Sequence, residues 1–444
     1  MTAVESLLPH QRALVEEYSS GSPPHVIALD APPGTGKSRA LAVIAAQRAA
    51  KGGLVFVVVP PMLVSQLTQQ VRDAGGSPAA VYASPSDFRL AFDTGPTPWP
   101  ESGLVICGSS VIRTPLATKT LLGTSPSLLI VDEVAVSGGS DLGRSLRALA
   151  NRANQVILTG VRANAWFPAF ETRRWTYPLA DSQGRRLTPH FSVRVHDYAG
   201  DQTEAEVVRE AIELLHQADY PLPDLLLTRT AIQFALLRLV RRLEAPEQLP
   251  LWEEGQTESE PEPSWSPAFD GRMIETIWKL LDRFDDLAPD RRLLAAMEET
   301  RSASAEGRPL IIVTHLAQEV DYIVAAIRSP QVFVSTVTGR TPLEERLAAA
   351  EDLREGSVLV VTSVFFAAMQ RPLPNGTRSV WFMPPRSQRQ IQQRLGLGMS
   401  SNGVEIVLLR AIPSVTPADE LVDRLERILQ NPWQEHPGLQ EDCR

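Results

Sequence analysis

Residues 31–38 read Ala31-Pro32-Pro33-Gly34-Thr35-Gly36-Lys37-Ser38, and this segment is the strongest indication of the fold. It follows an apolar run at 25–29 and precedes a helix-like segment at 39–50, which gives the order strand, glycine-rich loop, helix. Such a loop turns backbone N–H groups toward a phosphate at the positive end of the following helix. Lys37 would reach the β- and γ-phosphates, and the Ser38 hydroxyl would help to hold Mg²⁺. The predicted phosphate-binding residues are Gly34, Thr35, Gly36, Lys37 and Ser38.

This loop departs from the pattern G-x-x-x-x-G-K-[ST] at its first position, which is Ala31. A methyl group is tolerated there if the backbone does not need a positive φ angle. The alternative interpretation is an ordinary turn built from glycine and proline, but it does not account for the flanking strand and helix. The loop therefore indicates a protein that binds a nucleoside triphosphate or descends from one that did.

The composition excludes several classes of protein. The 444 residues carry a net charge of −9 and are 43% hydrophobic, as in globular proteins of more than one domain. Cys107 and Cys443 are the only cysteines, so a disulfide framework and a thiolate metal cluster are excluded. No apolar run is as long as a bilayer span and residues 1–10 do not resemble a signal peptide, so we expect a cytoplasmic protein with no membrane partner. The negative charge is unfavourable for binding nucleic acid unless the 43 basic residues cluster locally.

The first half of the sequence alternates short apolar runs with helix-like segments. Strands are predicted at 25–29, 54–59, 104–107, 128–131 and 156–158, with helices near 40–50, 63–74 and 142–150. Buried strands separated by helices predict an α/β fold whose parallel sheet is covered on both faces. Phosphate and metal groups then lie at the carboxyl ends of the strands.

The second half begins with helical patterns and ends with another α/β unit. Residues 244–270 are rich in Pro, Glu and Ser, which predicts a flexible acidic loop between helical segments. Strands are predicted again at 309–314, 331–335, 358–362 and 380–382. The predicted domains are a first lobe at 1–203, a helical insertion at 204–303, a second lobe at 304–413, and a C-terminal helix and tail at 414–444.

Two adjacent acids follow the apolar strand at 128–131. Asp132 at the strand tip would hold Mg²⁺ through water, and Glu133 would position or deprotonate an attacking water molecule. Two acids after a strand can also form a solvated turn. Their place 95 residues after Lys37, in the same α/β unit, favours the catalytic interpretation.

With these residues in place, the sequence resembles the superfamily 2 helicases and translocases, in which two RecA-like lobes clamp ATP between them. The segment Thr338-Gly339-Arg340-Thr341-Pro342, with Glu344, Glu345 and Arg346, is similar to the family's T-G-x-T-x-x-E-x-R motif. Gln393-Arg394-Leu395-Gly396 matches the opening of the sixth motif, Q-R-x-G-R-x-x-R. Leu158-Thr159-Gly160 resembles the Swi/Snf-type L-T-G-T-P motif, which couples hydrolysis to lobe movement. The resemblance implies two tandem RecA-like lobes with a helical insertion between them.

The resemblance also implies roles for residues outside the phosphate loop. Leu8-Pro9-His10-Gln11 looks like the family's adenine-reading segment, which would give that role to Gln11. The alternative for this segment is a helix start on the surface. The Swi/Snf-like motif favours DNA over RNA as the nucleic acid. Residues implied to contact the nucleic-acid backbone are Pro60, Gln66, Ser109, Ser110, Thr338 and Gly339.

The sixth motif departs from the family at the two arginines that stabilise charge on the transferring phosphoryl group. These positions are Leu397 and Ser400 here, and the acid of the fifth motif is replaced by Gln370. An arginine finger contributes about 10³ to 10⁵ in rate. Arg394 is the nearby catalytic candidate. We therefore expect slow hydrolysis, or activation by an arginine from a protein partner.

The predicted function is ATP-driven remodelling of, or translocation along, DNA, with ATP and Mg²⁺ as cofactors. One alternative is an ATP-gated clamp or scaffold that binds nucleic acid and has lost turnover. Another is a small-molecule P-loop kinase or switch, which would have no use for the second lobe. A cluster of aromatic residues either stacks on single-stranded bases or packs in the core. Its members are Trp166, Phe167, Phe170 and Trp175.

Overall fold

The computed structural model describes residues 7–20, 25–30, 35–95, 98–132, 141–159, 172–176, 191–218, 220, 227–244, 271–330, 332–339, 341–363, 373–385, 388–395, 403–430 and 432. These residues divide into two compact units between positions 188 and 189. Each unit contains one sheet of parallel strands with helices packed against it. The predicted α/β class is therefore confirmed. The acidic loop predicted at 244–270 lies, beyond Glu244, outside the described residues.

The first unit contains a seven-stranded parallel sheet in the order β3-β4-β2-β5-β6-β1-β7. Its strands are β1 Val26–Asp30, β2 Leu54–Val59, β3 Pro78–Tyr82, β4 Gly103–Gly108, β5 Leu128–Val131, β6 Val156–Thr159 and β7 Thr172–Thr176. Its helices are α1 Pro9–Ser20, α2 Lys37–Ala50, α3 Val64–Asp73, α4 Pro85–Thr94, α5 Ser109–Ile112, α6 Pro115–Leu121 and α7 Asp141–Ala150, with a short 3₁₀ helix at Pro61–Leu63.

Strand β2 explains why this sheet is covered on both faces. All six of its residues are buried. Successive side chains point to opposite faces of a strand, so Phe56 and Val58 enter one core and Val57 and Val59 the other. Helices cover both faces of the sheet, so every side chain of β2 is buried and the whole strand is apolar. Strands β3 and β7 were not predicted, and each lies at an edge of the sheet.

The second unit contains a six-stranded parallel sheet in the order β10-β11-β9-β12-β13-β8. Its strands are β8 Phe191–Ala199, β9 Leu310–Thr314, β10 Phe333–Val337, β11 Ser357–Thr362, β12 Arg378–Trp381 and β13 Val404–Ile412. Its helices are α8 Gln202–Gln217, α9 Arg229–Glu244, α10 Gly271–Asp285, α11 Arg291–Ala305, α12 Ala317–Ile327, α13 Leu343–Glu351, α14 Gln388–Leu395 and α15 Pro417–Leu429.

Strand β8 belongs to the second sheet, although the predicted first lobe extends to residue 203. All nine residues of β8 pair in parallel with β13, from Phe191 opposite Val404 to Ala199 opposite Ile412. Ion pairs fix this edge, because Arg194 bonds Glu405 on β13 and Glu299 on α11 at 3.0 and 2.7 Å. Both β8 and β13 are needed to complete the sheet, and the long apolar run of β13 was not predicted as a strand.

The helices between β8 and β9 of the second unit fall into two groups. Helices α8, α9 and α10 pack on one another around a core of their own, which includes Leu236, Ile277 and Phe284. Helix α11 instead packs on the second sheet, where Leu293 and Ala296 join the core of strands β9 and β13. The predicted insertion at 204–303 therefore corresponds to an independent helical cluster followed by a helix of the second lobe. No helix in the described parts of the chain has the length and apolar character needed to cross a bilayer.

Candidate nucleotide site

The candidate site lies at the carboxyl edge of the first sheet, where β5, β6 and β1 are neighbours. Helix α2 begins at Lys37 after β1, Asp132 directly follows β5, and Thr159 is the last residue of β6. The strands are parallel, so these residues share one edge. Parallel pairing therefore brings together groups that are 94 and 27 positions apart in the sequence.

Asp132 is the centre of this cluster. The Ser38 hydroxyl donates a hydrogen bond to Asp132 Oδ2 at 2.7 Å, and the Thr159 hydroxyl donates to Oδ1 at 2.6 Å. The backbone N–H of Asp132 donates to the Val58 carbonyl at 2.9 Å, which fixes its position beside β2. The residue is 1% exposed. Hydrogen bonds to a carboxylate are stronger than those between neutral groups, so both hydroxyls are held firmly on the buried acid.

The donor set fits a magnesium ion that is completed by other ligands. A serine hydroxyl and a carboxylate are hard oxygen donors, and Mg²⁺ is commonly held by one or two protein groups together with water and substrate phosphates. No group of three or more His, Cys, Asp or Glu suited to a metal ion occurs among the residues that the structure describes. Ser38 and Asp132 are therefore the residues that would hold Mg²⁺ alongside a bound nucleotide.

Lys37 and the start of helix α2 provide the positive side of the site. Gly36 precedes the helix with a φ of 77°, in the left-handed region that favours glycine. Lys37 is the first helical residue and is 7% exposed. A helix N-terminus carries unpaired backbone N–H groups and partial positive charge, which favours an anion. Thr35 is buried beside it, whereas 31–34, including Gly34, lie outside the described residues.

Gln11 contacts the phosphate loop directly. Its Nε2 group donates to the carbonyl oxygens of Thr35 at 3.1 Å and Gly36 at 3.3 Å, and its Oε1 accepts from the Leu8 N–H at 3.0 Å. The neighbouring His10 places Nε2 3.4 Å from the same Thr35 carbonyl. Burial lowers the pKa of His10. Gln11 and His10 therefore both contact the loop, which the sequence did not reveal, and the adenine-reading role of Gln11 stays a prediction.

The residues expected to contact nucleic acid in the first unit lie further along the same sheet edge. Pro60 follows β2, and Ser109 begins α5 directly after β4, which is the neighbour of β2. A Cβ atom on Gly108 would lie 2.6 Å from the Ala83 carbonyl oxygen, so only glycine fits there. Pro60, Gln66 and Ser110 are half-buried. Ser109 is 2% exposed, so its side chain is not at the surface as the predicted contact requires.

In the second unit, the loop after β10 is held by Arg346. Its Nε donates to the Thr341 carbonyl at 2.6 Å, and its Nη2 donates to the Gly339 carbonyl at 3.3 Å. The Thr341 hydroxyl accepts a hydrogen bond from the Thr338 N–H at 3.0 Å. These hydrogen bonds hold Thr338, Gly339 and Thr341 in a turn, and Arg346 is bonded to the backbone of that turn. Arg340 lies outside the described residues.

The geometry of Arg394 does not support the catalytic role predicted for it. Its guanidinium donates to the Met383 carbonyl at 2.7 Å and lies 5.2 Å from the centre of the Trp381 ring. Nη2 lies 3.4 Å from Nε2 of His315, and the residue is 4% exposed. Burial lowers the pKa of Arg394 to about 9. A guanidinium enclosed within its own unit packs that unit and is not presented to a phosphoryl group.

Several predicted groups lie outside the described residues. These are Glu133, the sixth-motif positions Leu397 and Ser400, the fifth-motif position Gln370, and the aromatic residues Trp166, Phe167 and Phe170. For Trp175 the structure describes only the backbone of β7. The roles predicted for these residues stay predictions.

Comparison with known proteins agrees with this architecture. Residues 6–163 match a family profile described as an AAA domain. The chain is similar to the structure of Mss116p bound to ssRNA and AMP-PNP, with 12% sequence identity, a TM-score of 0.53, and coverage of 96% of this chain and 72% of that chain. The DEAD-box helicase Mss116 bound to ssRNA and UDP-BeF gives 13% identity, a TM-score of 0.53, and coverage of 96% and 73%.

The helicase domain of Hef from Pyrococcus furiosus is also similar, with 16% identity, a TM-score of 0.48, and coverage of 96% of this chain and 98% of that chain. No curated protein sequence matches the chain significantly. At these identities the solved structures establish the fold, which is that of two tandem RecA-like lobes. The chain therefore combines a stretch at 6–163 that matches an AAA domain with a fold of two tandem RecA-like lobes.

Proposed function

We propose that this chain is a nucleic-acid-dependent ATPase of the helicase or translocase type, which moves along or remodels DNA. The observation that carries the proposal is the bridge made by Asp132 between Ser38, in the phosphate-loop helix, and Thr159, at the end of β6. This bridge joins the residues expected to hold Mg²⁺ to the segment expected to couple hydrolysis to movement. The two-lobed fold, shared with a protein bound to ssRNA and AMP-PNP, supports the same activity.

Each residue of the cluster has a part in the proposed reaction. The N-terminus of α2 and Lys37 would bind the phosphates and offset their negative charge. Ser38 and Asp132 would hold Mg²⁺, which when bound supplies Lewis-acid stabilisation of the phosphoryl oxygens. Glu133, the next residue along the chain, would orient the attacking water and accept its proton. Thr159 would keep Asp132 in place through its hydrogen bond.

The nucleic acid would be contacted at one sheet edge in each unit. In the first unit these contacts fall to Pro60, Gln66 and Ser110, which are half-buried. In the second unit they fall to the Thr338–Gly339 turn, which Arg346 holds in shape. Backbone contacts of this kind fix the position of the nucleic acid without selecting its sequence. DNA is proposed over RNA on the Swi/Snf-like sequence of Leu158-Thr159-Gly160.

We infer that turnover is slow or depends on a partner protein. Arg394 is enclosed in the second unit, and the two positions that carry arginine in the family are Leu397 and Ser400. Without an arginine on the transferring phosphoryl group, the rate falls by about 10³ to 10⁵. The same residues support the alternative function, an ATP-gated clamp or scaffold on nucleic acid that has lost turnover.

The test is ATP hydrolysis by the purified chain, alone and with single-stranded DNA, duplex DNA or RNA. Lys37→Ala is the blank, and Lys51→Ala, an exposed lysine at the end of the same helix, is the matched control. We expect DNA to stimulate hydrolysis above the blank, with Lys51→Ala equal to wild type. Stimulation by RNA alone would reassign the substrate, and equal rates for wild type and Lys37→Ala would refute the motor.

The clamp alternative has its own discriminating variant. Leu397→Arg and Ser400→Arg restore the family's two arginines. If wild type binds ATP without turnover and the double variant hydrolyses it, the clamp is the native function. If wild type already turns over and the double variant is faster, the chain is a slow motor.

A further inference from the structure

We propose that helices α8, α9 and α10 form an arm that is fixed to the second sheet at the start of α9, with Glu319 as the positioning residue. Two chain connections join this helical arm to the rest of the second unit, at 200–201 and at 286–290. The arm has a core of its own, so these connections alone would let it swing as a body about a hinge. The attachment lies within the second unit, so it goes beyond the proposed ATPase and does not depend on it.

Glu319 joins the arm to the sheet through two threonines. It lies in the first turn of α12 and is 0% exposed. One carboxyl oxygen accepts a hydrogen bond from the hydroxyl of Thr228, directly before α9. The other accepts from the hydroxyl of Thr314, the last residue of β9, and both threonines are buried. A single side chain therefore connects the start of an arm helix to the carboxyl end of an interior strand of the sheet.

Thr228 is part of the arm helix that it attaches. Its hydroxyl oxygen accepts a hydrogen bond from the Ala231 N–H at 3.2 Å, and its carbonyl accepts from the Ile232 N–H at 3.0 Å. A threonine in this position caps the first turn of a helix. The bond to Glu319 therefore acts on α9 itself and not on a loose connecting segment.

Helix α15 contacts the same helix start. The Ala418 N–H, in the first turn of α15, donates to the Leu227 carbonyl at 3.0 Å. The first N–H groups of a helix have no partner within their own helix, so this hydrogen bond exists only while the arm is in place. Leu227 and Ala231 also pack in one small core with Leu316, Met383 and Ala418. A swing of the arm would open this core and break the hydrogen bond.

The two threonines can partner Glu319 in either of its protonation states. Burial raises the pKa of Glu319, and a hydroxyl group both donates and accepts hydrogen bonds. A glutamine amide offers one donor group and one acceptor, so Glu319→Gln should keep both contacts. Glu319→Met has a similar volume but leaves the hydroxyls of Thr228 and Thr314 without their acceptor. The comparison of these two variants isolates the hydrogen bonds from the packing.

The experiment is hydrogen exchange on the full chain, resolved to single amides. The diagnostic amide is that of Ala418, because its partner is the Leu227 carbonyl of the arm. The amide of Leu425, in the interior of the same helix, reports the stability of α15 itself. Glu355→Met, at an exposed glutamate before β11, is the matched control for Glu319→Met.

We expect the wild-type Ala418 amide to be protected. Glu319→Met should speed its exchange by about 10- to 100-fold, since a buried polar group left without a partner favours local opening of the attachment. Leu425 should keep its wild-type rate, because only the attachment opens. Glu319→Gln and Glu355→Met should keep wild-type rates at both amides. Addition of AMP-PNP and single-stranded DNA should leave Ala418 protected, because the arm stays fixed to the second sheet.

Exchange of the wild-type Ala418 amide at the rate of an unstructured chain would overturn the attachment, as would equal rates in wild type and Glu319→Met. If Glu319→Met does not fold, or speeds Ala418 and Leu425 alike, Thr228→Val decides. That variant removes the hydroxyl on the arm side and leaves Thr314 bonded to Glu319. Acceleration confined to Ala418 would then support the attachment, and any other result would overturn it.

The two ligands separate this attachment from the proposed function. Release of Ala418 on addition of AMP-PNP and DNA would show that the arm swings when the ligands bind. That result would overturn the fixed arm and leave the proposed ATPase standing. Failure of AMP-PNP to bind would refute the ATPase, whereas protection of Ala418 in the free protein would still support the attachment.

Discussion

The carboxyl edges of the two sheets are built from the same topology but hold opposite charges. In the first unit, hydroxyls from two segments converge on the buried acid Asp132. In the second unit, the buried cation Arg394 donates to the Met383 carbonyl and lies beside His315, whose ring bonds Ser363. The carboxylate of Asp132 and the hydroxyl of Ser38 are oxygen groups that could also bind magnesium. The guanidinium of Arg394 instead contacts only groups of its own unit among those described. The shared topology therefore does not give the two edges the same chemistry.

This contrast leads us to expect chemical work at Asp132 in the first unit and a stabilising role for Arg394 in the second. The hydrogen bonds at Asp132 hold a serine hydroxyl beside a carboxylate, as a magnesium site requires, whereas the contacts of Arg394 lie in a packed interior. A buried charge without partners is costly. Asp132 is paired with two hydroxyl groups, and Arg394 is paired with a backbone carbonyl and an aromatic ring. The following predictions test that division, beginning with the largest effect.

Asp132→Asn should lower ATP turnover by about 100-fold, because residues that orient a catalytic metal are typically worth 10- to 100-fold. The amide keeps the shape but loses the negative charge that attracts Mg²⁺. The measurement is the initial rate of hydrolysis against Mg²⁺ concentration. Asp93→Asn, an exposed acid on α4, is the control and should match wild type. A wild-type rate in Asp132→Asn would remove the acid from the mechanism.

Arg394→Met should destabilise the second unit by about 2–3 kcal/mol, from a lost charged hydrogen bond and a lost contact with the Trp381 ring. Chemical denaturation of wild type and variant measures this difference. Turnover per folded molecule should change by less than about threefold, whereas loss of an arginine finger would cost about 10³ or more. Arg301→Met, exposed on α11, should change neither quantity. A thousandfold loss of rate with unchanged stability would restore the catalytic role of Arg394.

Thr159→Val should lower turnover by about five- to tenfold, because it removes one hydrogen bond to Asp132, worth about 1 kcal/mol. Valine keeps the β-branched shape in strand β6, so the packing is preserved. Thr159→Ser keeps the hydroxyl and should restore most of the rate. If valine and serine behave alike, the hydroxyl does not act on Asp132. Steady-state kinetics at saturating Mg²⁺ distinguishes the two outcomes.

Glu204, a buried acid in the second unit, is expected to give the smallest change in stability of the variants proposed. Its surroundings also differ from those of the buried Asp132. Asp132 accepts from two hydroxyls, whereas burial raises the pKa of Glu204 to about 7. The folded state then holds a proton that the unfolded state has released, so stability falls as pH rises from about 4.5 through 7. Glu204→Gln should remove this fall and add about 1 kcal/mol at pH 8 relative to wild type.

Thermal unfolding between pH 5 and pH 8 measures this difference. Glu213→Gln, an exposed residue on the same helix, should keep the wild-type pH dependence. A parallel loss of stability with pH in wild type and Glu204→Gln would place the titrating group elsewhere.

Part of the candidate site could be predicted from local sequence alone. The phosphate loop is recognisable because glycines and a lysine lie between an apolar strand and a helix. This pattern predicts Lys37 and Ser38 as phosphate and magnesium contacts. Asp132 follows an apolar strand of four residues, so its place at a sheet edge also follows from sequence. Gln11 was predicted as a site residue, but its contact with the loop was not. That hydrogen bond joins residues 24 positions apart.

The α/β class, the parallel sheets and the place of the phosphate loop follow from the sequence, because they depend on patterns within a few residues. Three features required the three-dimensional structure: β8 joins the second sheet, Thr159 bonds Asp132, and Arg394 faces inward. The contact between Arg194 of β8 and Glu405 of β13 spans 211 residues. Such contacts arise when distant strands pair, and no local pattern of side chains encodes which distant partner a buried group will meet.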